Sequence, residues 1–192
     1  PESNLMKRPP RNPRVDKLTD WKFFFHIYLI FGVGIWVSGF AMWFLYMHLQ
    51  GLGFYDLVLV YSRWKDGWAG KSIEELTSYI QVGQCVYYVC LAIMQFGSLM
   101  AVRNRHVSVI DSNPLWGPRQ NLVIPFSMIS TIIICIICLY GPGLEDVFGT
   151  SPIPTMFWFI PFGLSFGNFL LDEIRKLIVR RYPNSIVAKI AW

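Results

Sequence analysis

The stretch FFFHIYLIFGVGIWVSGFAMWFLYM, Phe23 to Met47, decides the fold. It contains no Asp, Glu, Lys or Arg, and it exceeds the roughly 20 apolar residues a helix needs to cross about 30 Å of hydrocarbon. Outward along the chain, Tyr79 to Val102 is likewise free of charge, and Leu122 to Tyr140 is a third apolar run. Met156 to Leu171 is a shorter fourth, continued by the charged, helix-forming Asp172-Glu-Ile-Arg-Lys-Leu177. The expected spans are therefore about 23–47, 79–102, 122–140 and 156–171, with a tail at 172–192. This is an all-α chain, a four-helix transmembrane bundle read as a single domain over residues 1–192. Composition agrees: 54% hydrophobic, 17% aromatic and 15% charged residues point to bilayer rather than water as the solvent, because a soluble domain carries about 25% charge.

Orientation follows from Lys and Arg, which cytoplasmic loops retain near span ends. Lys7, Arg8, Arg11, Arg14, Lys17 and Lys22 precede the first span, and Arg103, Arg105 and Arg119 lie between the second and third. Arg175, Lys176, Arg180, Arg181 and Lys189 follow the fourth. Elsewhere only Arg63, Lys65 and Lys71 occur, diluted by Asp56, Asp66, Glu74 and Glu75, and Gly141 to Thr155 has no basic residue. Both termini are expected on the cytoplasmic side. The net charge of +5 sits at the edges of apolar runs instead of on an aromatic-interleaved patch, which excludes nucleic acid as the partner. Between His48 and Ser78, Phe54, Tyr55, Trp64 and Trp68 suit a headgroup interface, with a partner-binding loop as the alternative. The polar, proline-rich opening is no signal peptide, and a chain that begins without Met is expected to be cut from a longer polypeptide.

Cys85, Cys90, Cys135 and Cys138 all lie inside apolar runs, where packing is the expectation and the Cys135-x-x-Cys138 spacing carries no redox reading. Polar side chains at bilayer depth are candidate sites by default. They are His26 in the first span; Gln81, Gln84, Gln95 and Ser98 in the second; Ser127, Ser130 and Thr131 in the third; and Asn168 in the fourth. Gln95 and Ser98, three apart, share one helical face. Their oxygens suit a cation, but two neutral groups do not offset its desolvation, and interhelical hydrogen bonding is the alternative. Gly163-Leu-Ser-Phe-Gly167 is a small-residue pattern for close helix approach, and Pro125 and Pro161 are expected to kink their helices. Arg105-His-Val-Ser108 has the form of a basic-directed phosphorylation site at Ser108.

Two flanking motifs carry a resemblance: Met6-Lys-Arg-Pro-Pro-Arg-Asn-Pro-Arg-Val-Asp-Lys-Leu18 and Leu171-Asp-Glu-Ile-Arg-Lys-Leu-Ile-Val-Arg-Arg-Tyr-Pro183. With Gln95, Ser108 and Tyr140-Gly-Pro-Gly143 between them, they resemble the type II P-type ATPases, closest to the alpha subunits of the sodium/potassium and proton/potassium pumps. The resemblance implies membrane helices seven to ten of a ten-helix domain in the plasma membrane. It implies ATP and Mg2+ for the intact pump only, because Asp-Lys-Thr-Gly-Thr and any Gly-rich phosphate loop are absent; no catalytic residue and no cofactor belong to this segment. Its implied role is to brace the ion-carrying helices, with the lipid bilayer and the rest of the pump as partners. It also implies side chains for a sodium site, at Gln95, Ser98, Ser130 and Thr131. Ser98, Ser130 and Thr131 stand where carboxylates are typical, so that site is expected to be weakened. Without Ser-Tyr-Gly-Gln in the long outer loop, the chain argues against a beta subunit. The alternatives are a stand-alone four-helix scaffold or adaptor, and a self-contained channel or carrier, which the uncharged spans disfavour.

Overall fold

A computed structural model describes residues 21–60, 64–65, 67–103, 107–110, 120–185 and 187–188. The leading basic residues Lys7, Arg8, Arg11, Arg14 and Lys17, with Arg63, Asp66, Arg105, His106, the Asp111–Pro118 stretch, Arg119 and the tail's Lys189 and Trp192, lie outside the described residues. Within them every regular element is helical, apart from one isolated bridge between Trp68 and Lys71.

Helix α1, Trp21–Leu49, covers the first expected span. Its segment Phe25–Gly32 is wound in wide turns, and the N–H of Val33 donates to the carbonyls of Ile30 and Tyr28. That winding puts His26 beside Phe31, five residues on, edge to face at 5.1 Å, and both are buried. Helix α2 is the short Phe54–Leu57, whose Asp56 accepts from the Gly53 N–H at 2.8 Å and from the Trp68 indole at 3.0 Å, ordering part of the loop that follows α1.

Helix α3 runs over Ile73–Val102 and starts two turns before the expected Tyr79. The reason is local: the Glu75 N–H donates to Ser72 Oγ at 3.2 Å and the Ser72 N–H to Glu75 Oε2 at 2.9 Å. This reciprocal cap satisfies two otherwise orphaned donors and needs no hydrophobic residue. Helix α4, Val123–Tyr140, matches the third span, and α5 is the short Leu144–Phe148. Helix α6, Met156–Arg181, contains Pro161 and continues unbroken past the expected end at Leu171.

Among the described residues, three helices, α1, α3 and α4, are long and apolar enough to cross a membrane. Helix α6, where the fourth span is expected, is not among them, because Asn168, Asp172 and Glu173 dilute its apolar part.

The chain divides into two compact units, and each long helix contributes residues to both. One comprises the described parts of Pro1–Ile35, Met94–Ile129 and Leu164–Trp192. Its core holds Phe31, Met94 and Ala101 together with buried polar groups. The other comprises the described parts of Trp36–Ile93 and Ser130–Gly163. There Gly83 leaves room for Trp43, which a Cβ would meet at 2.8 Å, and Tyr46 packs edge to face on Phe157. The loop after α4 is tied down by its hydroxyls. Thr150 Oγ1 donates to the Cys138 carbonyl at 2.6 Å and Tyr140 to the Ile153 carbonyl at 3.1 Å. The first of these caps a carbonyl that the helix end leaves unpaired.

Candidate functional site

The residues grouped by the sequence fall into different units. Gln95 and Ser98 belong to the first; Gln95 is exposed, and half-buried Ser98 donates to the carbonyl of Met94 at 3.4 Å, inside its own helix. Ser130 and Thr131, both half-buried on α4, belong to the second.

The second unit also holds two cavities, of about 470 and 390 Å³. Gln84 and Gly149 line both; Trp64, Lys65 and Gln81 line the larger, and Cys85, Tyr88 and Cys138 the smaller. The cysteines are free thiols in packed positions, with Cys85 Sγ accepting from the Ser151 N–H at 3.2 Å. Gly163 and Gly167 meet nothing within 4 Å, so the small-residue pattern faces open space.

The densest polar chemistry lies in the first unit, on residues outside the candidate set. Asp172, read from sequence as the start of a charged tail, is 4% exposed, and Lys176 is fully buried. Lys176 Nζ reaches the Ala101 carbonyl at 2.8 Å, Asp172 Oδ2 at 2.9 Å and Glu173 Oε1 at 3.1 Å. Arg175 Nε lies 2.7 Å and His26 Nε2 3.5 Å from Asp172 Oδ1. Ser108, 6% exposed, donates its hydroxyl to Glu173 Oε2 at 2.5 Å, and the Val109 N–H donates to Oε1 at 3.3 Å. Two carboxylates therefore balance two cations in a buried network that joins α1, α3, α6 and the segment around Ser108.

Burial by itself pushes the Asp172 carboxyl up, but hydrogen bonds from His26, Arg175 and Lys176 outweigh it and hold the group down at about 2. Burial likewise acts to raise Glu173, and its bonds from Ser108 and Lys176 shift it below its ordinary value. Both acids are thus charged at neutral pH.

Nearer the candidate pair, Ser165 is 4% exposed and its Oγ accepts from the backbone N–H of Gly97 at 2.9 Å. A Cβ at Gly97 would collide with the Ser165 carbonyl, so the two backbones touch. Ser165 is hidden in the sequence by its place inside the Gly163…Gly167 pattern. The acid and base spacings of three and four in Asp172–Lys176 do mark one helical face, but nothing local says that this face is buried.

A family model described as cation transporting ATPase, C-terminus, matches residues 1–178. The chain is 28% identical to the sodium/potassium-transporting ATPase subunit alpha-3 of Rattus norvegicus and to that of Homo sapiens, and 29% identical to that of Gallus gallus. Each match covers 98% of this chain and 19% of the relative, so the chain spans about a fifth of the length of these curated relatives. With the match running through all the long apolar helices, the chain belongs to the cation-transporting ATPase C-terminal family.

Proposed function

We propose that this chain is the C-terminal membrane domain of an ATP-driven cation pump of the sodium/potassium type. The observation that carries the proposal is the continuous family match over residues 1–178. In this reading the chain is one domain of four spans in the plasma membrane, with α6 crossing and both ends cytoplasmic, as the distribution of Lys and Arg supports. Nucleotide chemistry with ATP and Mg2+ belongs to the rest of the polypeptide. This domain braces the ion-carrying helices and offers Gln95 and Ser98 as neutral oxygen ligands to a reduced sodium site, while Ser130 and Thr131, in the other unit, are candidates by sequence alone. Gln95 faces outward on α3, the orientation a ligand shared with further helices of the pump requires. Neutral oxygens compensate a desolvated cation poorly, so the site is weak. The outer loop lacks the sequence Ser-Tyr-Gly-Gln, which argues against a beta-subunit partner. Ser108 is a kinase target only when its bond to Glu173 opens, because a phosphate beside that carboxylate is repelled.

Cation flux through the full-length polypeptide carrying Gln95→Ala or Ser98→Ala tests the site. Each change is expected to weaken sodium-dependent transport, and wild-type flux in both makes these residues purely structural. A stand-alone scaffold, the competing reading, predicts that no phosphorylation motif is encoded upstream.

A further inference from the structure

We infer that Ser165 and Lys176 of α6 are positioning residues for the segment of α3 that carries Gln95 and Ser98, an inference that rests on the cation-site reading above. Two buried side chains of α6 grip α3 four residues apart: Ser165 Oγ accepts from the Gly97 N–H at 2.9 Å, and Lys176 Nζ donates to the Ala101 carbonyl at 2.8 Å. Ser98 lies between these anchors, and Gln95 half a turn before them. Ser165 and Lys176 are themselves three turns apart on α6, which puts them on one face of that helix.

The two grips take backbone groups in the last two turns of α3. The Ala101 carbonyl is among the last four of α3 and has no partner inside the helix. A buried ammonium there also offsets the negative end of the helix dipole. Lys176 cannot drift, because Asp172 and Glu173 hold it, and they are held in turn by Arg175, His26 and Ser108. At Gly97 the two backbones are in contact, so displacing α6 displaces α3 directly. Ligand oxygens must be kept within about 0.5 Å of their working geometry, and a pair of neutral ligands has no excess attraction to pull a cation into a loose site. The clamp therefore governs cation affinity although α6 supplies no ligand.

The test is made on the full-length polypeptide with Ser165→Ala, Lys176→Met and Lys176→Arg. Sodium and potassium are titrated against ATP hydrolysis, and the amount of ATP-phosphorylated protein serves to normalise folded enzyme. Ser165→Ala and Lys176→Met are expected to raise the half-activating cation concentration about three- to tenfold while the maximal rate per phosphorylated enzyme stays near wild type. Lys176→Arg, which keeps the charge and the donor, is expected to recover most of the shift. Should Lys176→Met fail to accumulate, Ser165→Ala decides alone, because it removes one acceptor and no charge. A fall in maximal rate with unchanged half-activation means packing only and overturns the clamp. Unchanged half-activation in the α6 variants, with Gln95→Ala and Ser98→Ala shifted, overturns the clamp and leaves the site reading standing. Unchanged values in all of them overturn both.

Discussion

At the residue scale, Asp172 shows what a buried carboxylate needs in order to stay charged. Isolated, it would be neutral, since desolvation of a carboxylate is costly. With Arg175 at 2.7 Å and Lys176 at 2.9 Å it is an anion whose removal leaves a buried ammonium short of one oxygen. Asp172→Asn is therefore expected to destabilise the domain by about 3 kcal/mol at neutral pH, the scale for breaking one partner out of a buried pair. Because the folded carboxyl is held near 2, below its ordinary value, the stabilisation is complete above the ordinary carboxylate range and disappears as pH falls toward 2. Melting of the detergent-solubilised protein measures it: the gap between wild type and variant should be widest at neutral pH and narrow between about pH 4 and pH 2. A gap that is independent of pH would mean that the carboxyl's charge contributes nothing.

At the element scale, glycine separates contacts that are made from contacts that are open. Gly97 lies where α3 and α6 touch, whereas Gly163 on α6 meets nothing within 4 Å. Gly97→Ala should cost about 1–3 kcal/mol through forced backbone displacement, while Gly163→Ala should be neutral or raise stability by up to about 1 kcal/mol through helix propensity. Thermal unfolding of both variants is the measurement, and a loss at Gly163 would reveal a further helix seated on that face. The same scale marks how far the sequence could be read. Uninterrupted apolar runs made α1, α3 and α4 legible, because crossing hydrocarbon leaves a mark in every residue of the run. The start of α3 leaves no mark in hydropathy, since the Ser72–Glu75 cap is made by polar side-chain oxygens accepting backbone N–H groups, and only the Ser-x-x-Glu spacing records it. The burial of Lys176 was less legible still: it depends on contacts that only the fold makes, Ala101 with Lys176 and His26 with Asp172. Ser165 resembles any small residue until its partner, the Gly97 N–H, is known.

At the scale of the whole molecule, the apolar surface greatly exceeds what the described residues cover. Only 17% of the most apolar window of α1 and 11% of that of α4 are buried, against 44% for α3. Lipid accounts for apolar exposure of this kind, but the exposed Gln84 and Gln95 of α3 need protein or water beside them at bilayer depth. That requirement agrees with the proposed place of this domain beside the other helices of a larger pump. It leaves the crossing by α6 as the decisive topological question, because an even number of crossings returns the tail to the side where the chain began and an odd number does not. The short, cation-free segment Gly141–Thr155 should then lie outside, and the tail bearing Arg180 and Arg181 inside. An N-glycosylation acceptor inserted into 141–155 should be modified in cells, and an epitope on the tail should bind antibody only after permeabilisation. Antibody binding to the tail on intact cells would mean that Met156–Arg181 does not cross, and would withdraw the four-span topology while leaving the family assignment in place.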